Sequence, residues 1–297
     1  MNSNYWFSIA ELTIKLIFNE DGLNNLSLLP SFSPFEIAEP SKEDNLFELT
    51  IDDKTSPIAK SERVHIKTID TGNGNIIVDQ TNDGRHQFII KDINGNSCCL
   101  LIANKEFSVC QCALNGNYDM RSFGLNNAIM IAYAFASCKY NTLLIHASLV
   151  RQNGYGYAFI AKSGTGKSTQ VSMWLKHLPS CDLMNDDNPI IRIIDNVPVI
   201  YGSPWSGKTP CYRNIKAHLG AITQIDRAPQ NSIDRLSPID ALVNFIPACS
   251  SIRWDENIYD DIIKNITQVI EKTPFYILHC LPNKEAAVIC NKTISRT

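Results

Sequence analysis

The stretch YGYAFIAKSGTGKSTQVSMWLKHL, residues 155–178, decides how this chain is read. Tyr155 to Ala161 is an apolar run of strand length. Ser168 to Leu178 carries Val171, Leu175 and Leu178 at helical spacing, and Pro179 ends it. Between them, Ala161-Lys162-Ser163-Gly164-Thr165-Gly166-Lys167-Ser168 fits the pattern G-x-x-x-x-G-K-[ST] at every required position except the first, where alanine stands for glycine. Strand, glycine-rich turn and helix in that order gather backbone N–H groups around an anion. Alanine can hold the first position provided that its φ stays negative.

Each residue of the turn has a physical part to play. Gly164 and Gly166 let the backbone fold inward around phosphate oxygens. Lys167 reaches the β- and γ-phosphates, and Ser168 offers its hydroxyl to Mg²⁺. Ser163, Thr165 and Thr169 complete the cradle. The chain is therefore read as binding ATP or another nucleoside triphosphate together with Mg²⁺. Such a site also needs acidic groups, and Asn185-Asp186-Asp187 follows about twenty residues downstream. Adjacent carboxylates diverge on an extended strand. At a strand end, one can hold Mg²⁺ while the other faces an acceptor hydroxyl. The competing reading is a solvated turn leading into Pro189.

Outward from this centre the pattern changes. Residues 1–121 read as a β-rich N-terminal domain, with strand-like runs Asp44 to Ile51, Asn75 to Gln80, His86 to Asp92 and Cys98 to Ala103, divided by turns such as Asp83-Gly84 and Asn94-Gly95. Residues 122–297 read as the nucleotide-binding domain. It opens with a helix from Phe123 to Tyr140, continues as one strand from Thr142 to Val150, and turns at Asn153-Gly154. Asp195-Asn196 joins Ile190 to Ile194 with Val197 to Tyr201. Helices are expected over Pro238 to Phe245, Glu256 to Lys272 and Lys284 to Lys292, with Ser237 and Asp255 as caps and a strand from Phe275 to Leu281.

The formal net charge of −3 provides no basic footprint for nucleic acid and no polybasic stretch for anionic lipid. The first residues read as a strand without a signal peptide's basic region, and the run Leu125 to Cys138 is too short to cross a bilayer. A cytoplasmic protein is expected, with neither membrane nor nucleic acid as partner. Ten cysteines are scattered without a C-x-x-C pair, so buried reduced thiols are expected in place of a metal site.

His146-Ala147-Ser148, the Gly154–Gly156 turn, Phe159, the SGTGKST run and the NDD triplet together resemble the catalytic domain of HPr kinase/phosphorylase. The loop is also similar to that of phosphoenolpyruvate carboxykinase. By motif the resemblance covers residues 142–208. It implies an α/β fold, an HPr kinase/phosphoenolpyruvate carboxykinase-like P-loop domain preceded by the β-rich domain. It further implies an ATP-dependent kinase that transfers the γ-phosphoryl group to a hydroxyl, on Ser or Thr of a small protein or peptide or on a small molecule. On the same grounds Lys167 neutralises the transferring phosphoryl, Ser168 and Asp186 hold Mg²⁺, Asp187 is the base, and His146 sits beside the reacting centre. The kinases of that family are oligomers, which suggests a homo-oligomer here.

The chain also departs from that family. The Glu-Arg-Gly run with which HPr kinases handle their phosphoprotein is missing, and Tyr201-Gly-Ser-Pro-Trp-Ser-Gly-Lys208 stands in its place. This segment resembles one found in HPr-kinase-like proteins outside sugar transport. Lys208 is a candidate contact to phosphate or acceptor, Trp205 a candidate wall of the acceptor pocket, and Arg213 and Arg253 candidate phosphate clamps. The alternative function is a nucleotide-binding regulatory or interaction protein without transfer activity.

Overall fold

The computed structural model describes residues 2–19, 22–41, 44–162 and 164–296. The chain forms two compact units, one ending at Ser137 and the other beginning at Cys138.

The first unit contains β1 (Asn2–Ile9), β2 (Leu12–Asn19), β3 (Glu36–Ile37), β4 (Phe47–Ile51), β5 (Arg63–Asp70), β6 (Gly74–Thr81), β7 (His86–Asp92), β8 (Ser97–Ala103), β9 (Val109–Leu114) and α1 (Tyr118–Ala136). The strands make one nine-stranded sheet in the order β3-β1-β2-β4-β9-β8-β7-β6-β5. Pairing is antiparallel except where β4 lies parallel to both β2 and β9. Helix α1 starts five residues before the expected Phe123, because Asn117 caps it by accepting from the Met120 amide at 3.1 Å. It buries Leu125, Ala128, Ile129 and Ala132 and packs on β7, β8 and β9. The helix expected to open the second domain therefore belongs to the first unit.

The second unit contains β10 (Thr142–Leu144), β11 (Ala147–Gln152), β12 (Tyr155–Ile160), α2 (Lys167–His177), β13 (Cys181–Asp187), β14 (Ile190–Ile194), β15 (Val197–Tyr201), β16 (Lys216–Arg227), β17 (Ser232–Arg235), α3 (Pro238–Phe245), α4 (Glu256–Lys272), β18 (Phe275–Cys280) and α5 (Lys284–Ile294). Seven strands follow the order β10-β14-β15-β16-β12-β11-β13, and β18 joins β16 on one side and β17 on the other. Strands β12, β13, β16 and β18 run in one direction, and β11, between β12 and β13, runs against them.

The fold is thus not the expected HPr kinase/phosphoenolpyruvate carboxykinase-like P-loop domain behind a β-rich domain. The chain is a mixed α/β protein dominated by two large mixed sheets. The physical reason is that the motif is local. A phosphate-loop motif specifies one strand, one turn and one helix, and says nothing about the neighbouring strands. Here Asn153 and Gly154 have φ of 52° and 81°, and Asp195 and Asn196 have φ of 47° and 69°. Positive φ at both central residues is the geometry of a tight hairpin, so β11 and β12, and β14 and β15, are forced antiparallel.

Two further departures concern the site directly. The single strand expected from Thr142 to Val150 breaks at Ile145-His146. There Ile145 bridges to Cys249, and the His146 amide donates to the Ala248 carbonyl at 2.6 Å. On α2, the inward face carries Lys167, Gln170, Val171 and Trp174, while Leu175 is exposed. Once Lys167 faces inward, positions three, four and seven residues later must follow it, and the fully buried Trp174 packs on Tyr157 and Phe159. No helix among the described residues is long and apolar enough to cross a membrane. All ten cysteines are free; nine are buried and Cys181 is half-buried. Burial pushes the Cys138 thiol up to about 12 and that of Cys181 up to about 11.

Candidate functional site

Sheet register brings distant segments to one place. Because β11 runs against both neighbours, its first residues lie beside the last residues of β12 and β13. Ser148 is opposite Phe159 on one side and Asp186 on the other, and Ala147 is opposite Asp187. The loop 161–166 leaves the same end of β12, and His146 precedes β11. Three chain segments therefore meet at one sheet end: 146–148, the described residues 161–162 and 164–168, and 185–188.

Lys167 links them. Its Nζ lies 2.8 Å from His146 Nε2 and donates to the Ala161 carbonyl at 3.1 Å, while His146 Nδ1 lies 2.9 Å from Asp187 Oδ1. An ammonium has no acceptor, so with Lys167 charged the ring must be neutral, accepting at Nε2 and donating from Nδ1 to Asp187. Burial lowers the pKa of Lys167, against the raising pull of Asp187 and Asp186. Asp187 Oδ2 accepts from Asn188 Nδ2 at 2.8 Å, so both of its oxygens are oriented. Its backbone sits at φ 148°, a region that L residues rarely adopt, and it pairs with Ser206. Such conformations cost about 1–3 kcal/mol and persist only where the surroundings impose them.

Asp186 is buried and holds a different set of partners. Ser148 Oγ donates to its Oδ1 at 2.6 Å, and Ser168 Oγ donates to the same oxygen at 3.1 Å. Its backbone carbonyl accepts from Ser206 Oγ at 3.1 Å and from the Gly207 amide. Asn185 fixes the segment from below: its Nδ2 donates to the Trp205 carbonyl at 3.0 Å, and its Oδ1 accepts from the Asn188 amide at 3.0 Å. Gly202 is required close by, since a Cβ there would stand 2.1 Å from the Arg213 carbonyl.

Two glycines shape the described part of the loop. Gly164 and Gly166 adopt φ of 76° and 130°, and Ala161 keeps a negative φ. Gly166 is the N-cap of α2 and, having no side chain, caps none of the first amides of the helix. Ser168 and Thr169 are exposed on the first turn, and Thr165 is half-buried. Ser163 lies outside the described residues.

The expected residues do not all converge. His146, Lys167, Ser168, Asp186 and Asp187 do. Lys208 is exposed, two residues beyond the Ser206 that pairs with Asp187. Arg213 is not a phosphate clamp: its Nη1 is bound to Asp182 at 2.6 Å and to the Leu183 carbonyl. The Trp205 side chain is buried, not an open pocket wall. Arg253 is exposed on the turn before α4. Ser148 and Asn185 have no part assigned to them by sequence, although both stand inside quoted motifs and their neighbours are the available signal.

Mg²⁺ fits the chemistry of the donors. Ser168 Oγ and Asp186 Oδ1 stand 3.1 Å apart beside an uncapped helix start, and Mg²⁺ is commonly held by one or two protein oxygens plus phosphates and water. No cluster of three or more His, Cys, Asp or Glu side chains suited to a metal occurs among the described residues. No protein-family model matches the chain, and no curated protein matches it significantly.

Proposed function

We propose that the chain is a phosphotransferase that moves the γ-phosphoryl group of ATP to a hydroxyl acceptor. The observation that carries this reading is the Lys167–His146–Asp187 relay beside a glycine loop and an uncapped helix start. The resemblance of these motifs to HPr kinase supports it further.

In this reading the acceptor oxygen bonds to the γ-phosphorus as the bond to the bridging oxygen of ADP breaks, and the hydroxyl proton passes to Asp187. His146 keeps that carboxylate oriented by donating from Nδ1. Lys167 supplies positive charge to the transferring group, and the amides of α2 receive the phosphate oxygens. Bound Mg²⁺, held by Ser168 and Asp186, would neutralise phosphate charge. Serine or threonine of a protein or peptide is the favoured acceptor, and a small-molecule alcohol is the second.

The test is transfer of label from γ-³²P-ATP into a lysate of the native host, with wild type and Asp187→Asn side by side and nucleotide affinity measured for both. Wild-type label in the protein or peptide fraction, lost in the variant while affinity persists, supports the kinase. Label confined to small molecules changes the acceptor class. Tight binding with no label in purified acceptor screens or lysate would point to a nucleotide-binding regulator instead.

A further inference from the structure

Arg227, the last residue of β16, belongs to none of the motifs that mark the site. Because β16 runs parallel to β12, it ends beside the glycine loop that β12 leads into. Its Nε donates to the Thr165 carbonyl at 2.9 Å, and its Nη2 donates to the Gly164 carbonyl. A guanidinium fork thus holds two successive carbonyls of the loop.

A trans peptide is planar, with its C=O and N–H pointing in opposite directions. Fixing the Thr165 carbonyl therefore fixes the Gly166 amide to point away from Arg227, and fixing the Gly164 carbonyl does the same for the Thr165 amide. The Thr165 amide in turn donates to the Lys162 carbonyl at 3.2 Å, which closes the turn. Gly164 and Gly166 lack side chains and sit at positive φ, so apart from the Thr165 to Lys162 hydrogen bond little among the described loop residues opposes a flip of these peptides. A flipped peptide would present a carbonyl where an anion needs a donor.

We infer that Arg227 is a positioning residue: by holding the Gly164 and Thr165 carbonyls it keeps the turn closed through the Thr165 amide and presets the Gly166 amide to receive a phosphate oxygen. This rests on the nucleotide reading above. It differs from a phosphate clamp, because the guanidinium is committed to the back of the loop.

The experiment measures two things on the full chain, in wild type, Arg227→Gln and Arg227→Lys. One is hydrogen exchange at the Thr165 amide without ligand; the other is the dissociation constant for Mg-ATP. Arg227→Gln is expected to speed Thr165 exchange severalfold and to weaken Mg-ATP about tenfold, with the melting temperature unchanged. Arg227→Lys, which keeps one charged donor, is expected to recover part of both losses. Unchanged Thr165 exchange overturns the inference, whether or not ATP binds. Faster exchange with unchanged affinity overturns it as well, since the loop would then need no presetting. A wild type that fails to bind Mg-ATP sinks the nucleotide reading, and the positioning role falls with it; faster Thr165 exchange would then leave Arg227 only a structural tie.

Discussion

Asp79 in the first unit and Asp186 in the second are both buried, both on strands, and both close to a cation, yet they are held differently. Asp79 accepts from the Arg63 guanidinium, from Gln87 Nε2 at 3.0 Å and faces His65 Nδ1 at 3.1 Å. Its two oxygens are filled by cationic and amide groups, and the result is a closed structural joint between β5, β6 and β7. Asp186 receives two hydroxyls on one oxygen, and among the described residues its Oδ2 takes no hydrogen bond. Hydroxyls orient a carboxylate without neutralising it. A buried carboxylate left half-filled retains affinity for a cation, whereas a saturated one does not.

The comparison breaks most sharply at Asp187, the neighbour that faces the relay. Asp187→Asn is expected to lower transfer about 10²–10⁴-fold, the usual worth of a positioned base, while nucleotide affinity stays within about twofold. Single-turnover transfer and equilibrium binding on the same preparation decide this. Near-wild-type transfer would remove Asp187 as the base. Asp79→Ala should instead leave nucleotide affinity alone and destabilise the first unit by about 3 kcal/mol, because the largely buried Arg63 guanidinium loses its counter-ion. Urea denaturation followed by a probe in the first unit measures it. A loss of nucleotide affinity in Asp79→Ala would show that the division of labour between the two aspartates is wrong.

The site was more legible in sequence than the fold, for a physical reason. Phosphate chemistry requires particular side chains at fixed spacing, so Lys167, Ser168 and the Asp186-Asp187 pair could be named from the motif and its distance downstream, whereas His146 came only from the resemblance. Sheet topology depends on which edges meet, and no residue in β12 announces that β16 will lie parallel to it. The information that was present sat in the turns: Asn153-Gly154 and Asp195-Asn196 gave two hairpins correctly. The break at His146 was illegible because its cause, pairing with Ala248 and Cys249, lies about a hundred residues away. Arg227 was illegible for the same reason.

Ser148→Ala sharpens the comparison at smaller scale. Removing the 2.6 Å donor to Asp186 should cost about 1–2 kcal/mol in stability, as for a hydrogen bond to a charged group. It should also raise the Mg²⁺ concentration needed for half-maximal transfer severalfold, because Oδ1 then depends on Ser168 alone for orientation. Magnesium titration of the transfer rate tests this; an unchanged half-maximal concentration would detach Ser148 from the metal site.

Asp182 supplies the smallest test, and it lies on the same strand as Asp186. Burial opposes its ionised form, but Arg151 and Arg213, at 2.8 and 2.6 Å, outweigh that and hold its carboxyl below the usual range. It is therefore a saturated aspartate like Asp79, placed four residues from the half-filled one. With the folded pKa below the unfolded value, its contribution is fully present above about pH 4 and is lost as pH falls through the folded pKa. Its side chain is 38% exposed, so solvent screens the pairs and the effect is small. Asp182→Asn should flatten the acid limb of the melting curve below about pH 4 and leave transfer at neutral pH intact. If instead the substitution abolishes transfer while the acid limb stays put, Asp182 is working through Arg213 on the site, and cation saturation is no longer a guide to which aspartates are structural.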